Sequence, residues 1–245
     1  MKIAFLGASK GMGRALARQL ASRGAQLFLL GRDLEDLGRS AADLQLHGAS
    51  GTVGFCTCDL LQPPTFGPAL DQASAAMNGL DTVIVTAGIF ATQEELEADP
   101  ALTARLLTAD FTNTVLFCEE ARKRLLAAGG GTLCVFSSVA GERGRKPVIL
   151  YGAAKAGLSR YLEGLDHKFR SQGLRTITVK PGFVKTGMTA GLKPPPFAGE
   201  PDAVARSVAR AIERGSAEVY APGIWRLIML VIRNLPRGVM RRIGF

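Results

Sequence analysis

The chain lacks any apolar run long enough to cross a bilayer, which takes about 20 residues. Its most apolar stretch, Ile224 to Ile232, is nine residues long and already contains Arg226. The first residues, Met1 to Gly7, lack the long apolar core of a signal peptide, so a cytoplasmic protein is expected. Cysteine is scarce. Cys56, Cys58, Cys118 and Cys134 lie among apolar neighbours, and Cys56 and Cys58 have no second ligand pair that would complete a zinc site. Reduced, buried thiols and no metal are expected. No repeat of fixed period and no low-complexity segment occurs, which excludes a solenoid or a disordered chain. Acidic side chains are missing from Gly223 to Phe245, where Arg226, Arg233, Arg237, Arg241 and Arg242 supply 5 of the 9 net positive charges. Base-stacking aromatics do not interleave with these arginines, and no helix-turn-helix or zinc-finger pattern appears, so nucleic acid is not expected as a partner.

What remains is an α/β pattern. The 245 residues, 47% hydrophobic and 21% charged, suit one sizeable domain. Lys2 to Leu6 reads as a strand, Gly7-Ala8-Ser9-Lys10-Gly11-Met12-Gly13 as a glycine turn, and Arg14 to Arg23 as an amphipathic helix. Such a turn brings a helix N-terminus against a dinucleotide pyrophosphate, although a plain tight strand-to-helix turn needs the same glycines. A second strand, Gln26 to Leu30, ends in Gly31-Arg32-Asp33; a cation in place of an acid here selects the 2′-phosphate of NADP over the ribose of NAD, and Lys10 could reach the same phosphate. A helix from Leu34 to Leu46 precedes a third strand, Thr52 to Cys58, which ends at Asp59-Leu60. Pro63 and Pro64 open another helix, Asp81 to Val85 is a fourth strand ending in Thr86-Ala87-Gly88, and a long helix is predicted from about Leu102 to Ala128. Thr132 to Phe136 is a fifth strand that presents Ser137-Ser138. Strands alternating with helices imply a doubly wound parallel sheet with helices on both faces and ligands gathered at the strands' carboxyl ends.

One further pair stands in that setting. Tyr151 and Lys155 are one helical turn apart, so both leave the same face, and an ammonium beside a phenol favours the phenolate. Gly152, Ala153 and Ala154 between them are small, as close packing near a cofactor requires.

Taken in order, Gly7 to Gly13, Asp59-Leu60, Thr86-Ala87-Gly88, Ser138, Tyr151-x-x-x-Lys155 and Pro181-Gly182-Phe183-Val184-Lys185-Thr186 resemble the motifs of the short-chain dehydrogenase/reductase family over roughly residues 3 to 190. The resemblance implies a single Rossmann-type domain, 1–222, with a substrate lid at about 187–214, followed by a basic apolar tail, 223–245. It implies an NADP(H)-dependent reductase in which Tyr151 is the general acid in ketone reduction, Ser138 holds the substrate oxygen, and Lys155 holds the nicotinamide ribose and lowers the Tyr151 pKa. Cofactor contacts are expected from Gly7, Ser9, Lys10, Gly11, Met12, Gly13, Arg32, Asp59, Leu60, Ala87, Gly88, Pro181, Gly182, Val184 and Thr186, besides Tyr151 and Lys155. A homo-oligomer, dimer or tetramer, is implied as well. The chain departs from the family at Leu6, where a Thr is usual, and at Asp110, which takes the place of an Asn that holds a water beside the lysine. Asn113, nearly one turn further on, is the alternative for that task.

The loop Val139 to Lys146 and the segment Met188 to Lys193 further resemble the reductases of decaprenylphosphoryl-2-keto-ribose, which would make the substrate a lipid-linked keto sugar. Arg143, Arg145 and Lys146 would suit a phosphate there, or a solvated loop. The alternatives are a fatty-acyl, steroid or other small ketone, or a cofactor-binding regulatory or scaffold protein with weak turnover. Ile224 to Ile232, flanked by arginines and containing Trp225, reads equally as an interfacial segment in peripheral contact with the inner membrane face and as a subunit interface or a wall of the substrate pocket.

Overall fold

Apolar runs bounded by glycine and polar turns set the strands of the computed structural model, which describes residues 1–244. Strands β1 (Lys2–Leu6), β2 (Gln26–Gly31), β3 (Gly54–Thr57), β4 (Thr82–Val85), β5 (Gly131–Phe136), β6 (Leu174–Pro181) and β7 (Glu218–Ala221) form one parallel sheet in the order β3-β2-β1-β4-β5-β6-β7. Phe5 lies opposite Leu29 on one side and Ile84 on the other. Central strands of this kind are covered on both faces and therefore apolar throughout rather than alternating. β4 is buried at every position.

Helices α1 (Gly11–Ala21), α2 (Leu34–Leu46) and α3 (Phe66–Met77) follow the first three strands. Next come α4 (Gln93–Ala98), α5 (Pro100–Leu107) and α6 (Thr114–Ala127), then α7 (Ile149–Phe169) and α8 (Pro201–Arg214). Their start signals are local. Asp33 accepts hydrogen bonds from the Glu35 and Asp36 N–H groups at the head of α2, and Thr92 with Glu95 forms a capping box on α4. One face of the sheet packs Leu16, Leu20, Leu37, Val204, Val208 and Ile212 over Phe5 and Ile177. The other packs Leu70, Phe117, Leu125, Leu158 and Leu162 over Ala4 and Val83. The doubly wound sheet predicted from the strand and helix alternation is the fold observed.

Three elements differ from the sequence reading. The long helix predicted over 102–128 is broken between α5 and α6 by a π-helical segment, Thr108–Asn113, which widens the turn that carries Asp110. Helix α8 buries Val204, Ala205, Val208, Ala209 and Ile212 against the core shared with α1, so its placement in a lid gives way to a scaffold role and the irregular, lid-like stretch narrows to residues 187–200. Last, the tail folds as α9 (Ile224–Asn234) and α10 (Arg237–Arg242), separated by Leu235-Pro236, since proline cannot continue a helix without breaking it. No described helix is long and apolar enough to cross a membrane. All four cysteines are free; Cys58, Cys118 and Cys134 are buried, and burial pushes the Cys58 thiol up to about 12.

Candidate active site

The glycine turn between β1 and α1 is built by close approach. A Cβ on Gly13 would lie 2.1 Å from the Gly7 carbonyl, and one on Gly7, whose φ is +97°, would lie 2.5 Å from the Ala87 nitrogen. The hydroxyl that Leu6 cannot supply comes from across the sheet: Thr86 donates to the Gly7 carbonyl at 2.9 Å and fixes the turn to the end of β4. Lys10 occupies the N-cap of α1 without a side-chain cap, and Arg14 is the first residue whose N–H returns to the Lys10 carbonyl, at 3.1 Å. The preceding helix N–H groups have no intrahelical partner, which is the arrangement that receives an anion.

Those N–H groups face a cleft of about 360 Å³. Gly7, Ser9, Lys10, Gly11, Met12, Gly13, Arg32, Asp59, Leu60, Ala87, Gly88 and Thr186 all line it, so twelve residues singled out as cofactor contacts from four strand ends and the lid-like stretch come together. Asp59 gives one carboxylate oxygen to the Leu61 N–H at 3.0 Å, an Asx turn that leaves its second oxygen for other work. Asp33 commits one carboxylate oxygen to the head of α2. Arg32 lies at the cleft's edge, and Lys10 meets the Asp36 carboxylate at 3.0 Å.

Ser138, Asp110, Tyr151 and Lys155 do not line this cleft. Pro181, Gly182 and Val184 are not among its residues either. They lie at the end of β6 and just beyond it, where the tail meets the fold: a Cβ on Gly182 would fall 2.1 Å from Trp225 Nε1, and Val184 is buried in the core.

Behind Gly88 and Ile89 of the cleft lining stands Asp110, whose Oδ1 would lie 3.2 Å from a Cβ on Gly88. Its Oδ1 accepts from the Ile89 N–H at 2.6 Å and its Oδ2 lies 3.1 Å from Lys155 Nζ. Both partners are buried, Asp110 at 0% and Lys155 at 5% exposure. Asp110 Oδ2 meets the ammonium as an ion pair without a hydrogen bond in good geometry, which leaves this oxygen with accepting capacity. Asn113 turns the other way: its Nδ2 donates to the Leu60 carbonyl at 2.6 Å and ties the π-helical turn to the cleft wall, so it does not take over beside Lys155.

Lys155 Nζ is 5.5 Å from the centre of the Tyr151 ring, and Phe90 meets the same ring edge-on at 5.3 Å. Electrostatically the group is balanced. Burial pushes the Tyr151 phenol above its ordinary value; Lys155 and the nearby Ser138 hydroxyl act in the opposite direction, but Asp110 sides with burial. The lowering expected from Lys155 alone is therefore overturned, chiefly because burial disfavours the phenolate, with the Asp110 carboxylate acting in the same direction. Burial disfavours the Lys155 ammonium, yet Asp110 and Tyr151 outweigh it and keep the lysine protonated.

Ser138 ends β5 and accepts from the Ala140 N–H at 3.1 Å, which starts the following turn. That loop is pressed onto α7: a Cβ on Gly141 would lie 2.6 Å from the Ala156 nitrogen, and one on Gly152 would lie 2.8 Å from the Ala140 carbonyl. Gly152 is thus small because of the Ser138 loop rather than a cofactor, Ala154 is buried beside Ala91, Leu96 and Leu106, and Ala153 is exposed. Ser137 bonds the Lys155 carbonyl at 2.9 Å and Ser159 at 2.7 Å, a second stitch between the two elements.

The cations of the loop have partners in the tail. Arg143 donates to the Leu235 carbonyl and Lys146 to the Arg241 carbonyl, each at 2.8 Å, so these two hold helix ends and not a substrate phosphate. Glu142 is buried at the junction, receiving Lys180 from β6, the Tyr220 hydroxyl from β7 at 2.9 Å and Arg233 from α9 at 3.2 Å. Trp225, Met229 and Ile232 pack from α9 against Val139, Tyr220 and Phe183. Thr86, Phe90, Ser137, Gly141 and Glu142 were not assigned site roles from the sequence; Thr86 and Gly141 stood in quoted motifs, whereas nothing local marks Phe90 or the partners of Glu142.

A model of the short chain dehydrogenase family matches residues 2–196. An uncharacterised oxidoreductase of Mycobacterium tuberculosis is 34% identical over 242 residues, covering 98% of this chain and 96% of that protein. Another, from Streptomyces coelicolor, is 35% identical over 249 residues, covering 97% and 94%. Among solved structures, a single-substitution variant of actinorhodin polyketide ketoreductase with NADPH superposes with a TM-score of 0.80 at 21% identity, covering 89% of this chain and 95% of that one.

Proposed function

The chain belongs to the short-chain dehydrogenase family, and on that premise we propose that it is an NADP(H)-dependent reductase that converts an apolar or lipid-linked ketone to its alcohol, with Tyr151 as the proton donor. The observation that carries this reading is the chain of contacts from Ser138 through Tyr151 and Lys155 to Asp110, whose carboxylate accepts from the Ile89 N–H of a cleft opened by a helix N-terminus. The residues present fit a dinucleotide: uncapped N–H groups at the head of α1 for the pyrophosphate, one uncommitted oxygen of Asp59 for the adenine, and small Ala87 and Gly88 for the nicotinamide ribose. Arg32, with Asp33 turned into α2, favours a 2′-phosphate over a bare ribose, and the NADPH in the structurally similar ketoreductase agrees with that choice.

The bound cofactor supplies the hydride that reaches the carbonyl carbon. The protein's part is the proton and the geometry. Ser138 donates a hydrogen bond to the substrate oxygen, Tyr151 transfers its phenolic proton to that oxygen as the alcohol forms, and the phenolate left behind is stabilised by the Lys155 ammonium before solvent restores the proton. Asp110 keeps Lys155 charged and in place through the cycle. Because the phenol is raised rather than lowered, the resting site is fully protonated near neutrality, the form that reduction consumes.

The apolar cluster that follows Ser138, made of Val139, Phe183, Trp225 and Ile228, is the wall we propose for the substrate. A lipid-linked keto sugar satisfies that wall through its chain, as would a fatty-acyl or steroid ketone. The test is turnover of NADPH by purified protein against lipid-linked keto sugars, fatty-acyl ketones and simple ketones. Tyr151→Phe should lower the rate by about 10²–10⁴ while leaving NADPH affinity intact. Full activity in that variant would remove Tyr151 as the acid, and tight NADPH binding without turnover of any ketone would favour the scaffold reading.

A further inference from the structure

Helix α9 is apolar on two opposite sides. Trp225, Met229 and Ile232 face inward, while Ile224, Leu227, Leu230 and Val231 point to solvent at 42%, 62%, 51% and 62% exposure. Scattered exposed leucines are ordinary, but four large apolar residues on the outer face of one eleven-residue helix make a patch, and a helix apolar all round is normally covered on both sides. Phe197, half exposed, extends the patch toward the lid-like stretch, since its carbonyl accepts from Trp225 Nε1 at 3.3 Å. Arg226 beside this face, and Arg237, Arg241 and Arg242 on α10, are exposed. Residues 223–245 hold no carboxylate side chain to answer them.

We propose that the outer face of α9, with the arginines of α9 and α10, docks on an anionic lipid surface. Charge decides between the occupants. A second copy placed symmetrically on this face would bring two arginine-rich, acid-free tails together, whereas anionic headgroups complement the arginines and the acyl boundary accepts Leu227, Leu230 and Val231. The inner face of the same helix packs on Val139, next to Ser138, so on the reductase reading a ketone with a long apolar chain would leave the bilayer beside the proposed site. The docking itself does not depend on the reductase reading.

The experiment is co-sedimentation of the full chain with neutral phosphatidylcholine vesicles and with vesicles containing phosphatidylglycerol, at low and high salt, with solution mass measured in parallel. The expected result is binding at least about tenfold tighter to anionic vesicles, weakened by salt. The double substitution Leu227→Glu with Val231→Glu should weaken it about tenfold or more while NADPH binding persists. Replacing Arg226, Arg237, Arg241 and Arg242 by Gln should abolish the preference for anionic lipid without disturbing the apolar face. Equal or absent binding to both vesicle types would overturn the proposal. So would a dimer that Leu227→Glu with Val231→Glu splits into monomers in the absence of lipid, which would assign the face to a second copy.

Discussion

At the residue scale the site turns on Asp110. A buried carboxylate 3.1 Å from Lys155 cancels a charge that would otherwise act on Tyr151 alone. Asp110→Asn removes a negative group that disfavours the phenolate, so the phenolate becomes easier to form at any pH where Lys155, which Tyr151 also helps to keep charged, retains its proton. Burial raises Tyr151 and Asp110 acts in the same direction, so the variant's phenol should titrate lower. The measurement is the pH profile of alcohol oxidation, which needs the phenolate; its rising limb should move to lower pH in Asp110→Asn, and an unmoved limb would show that the pair is only structural. Gly141 offers a second residue-scale prediction. Gly141→Ala places a methyl group 2.6 Å from the Ala156 nitrogen, where the backbone of α7 has no room to yield. The Ser138 loop must lift instead, so kcat should fall while NADPH affinity, which depends on a different strand end, stays near its starting value.

At the scale of elements, the tail and the Ser138 loop stand or fall together. Glu142 holds β6, β7 and α9 to that loop, and it titrates below its ordinary value of 4.5: burial works against its ionisation, but Lys180, the Tyr220 hydroxyl and Arg233 outweigh it. A carboxyl lowered by folding contributes stability that is complete above about pH 4.5 and lost as pH falls through the folded value. Amide protection factors in α9 and α10, relative to intrinsic exchange at the same pH, should therefore fall below about pH 4.5. The central strands should be unaffected over the same range. Protection in α9 that survives as well as that of β1 under those conditions would count against the latch.

These elements also mark how far the chain could be read directly. Gly7 to Gly13, Arg32, Asp59 and Gly88 were legible because each follows its strand at once, and the parallel sheet gathers all strand ends on one edge. The Tyr151–Lys155 spacing was legible for the same local reason. The sequence hid whatever depends on remote partners: Arg143 and Lys146 find carbonyls 92 and 95 residues away, and Asn113 finds Leu60, 53 residues back. The π-helical turn carries no local composition signal, and it is what aims Asp110 at Lys155. Helix α8 read as lid because its apolar face has the same periodicity whether it covers a pocket or a sheet.

For the whole molecule, two apolar layers share one sheet, so neither can open without exposing the other. The scaffold from β1 to β7 should unfold in a single cooperative step. A ligand bound only by the folded state raises stability by about 2.7 kcal/mol at 100 times its dissociation constant. NADPH at that excess should move the calorimetric transition upward as one peak, and NADH at equal concentration should move it less if Arg32 selects the 2′-phosphate. Arg32→Ala should bring the two shifts together.

The chain's single tryptophan, Trp225, lies against Gly182 with its indole N–H on the Phe197 carbonyl, between the tail, the end of β6 and the lid-like stretch. It follows that the tryptophan fluorescence of this protein, excited apart from its three tyrosines, has one source, and that this source sits where the tail is docked on the fold. Reduced nicotinamide absorbs where indole emits, so cofactor arrival would quench it by energy transfer, while undocking of α9 would instead shift its emission to the red. One optical signal thus separates occupation of the cleft from undocking of the tail, without any label.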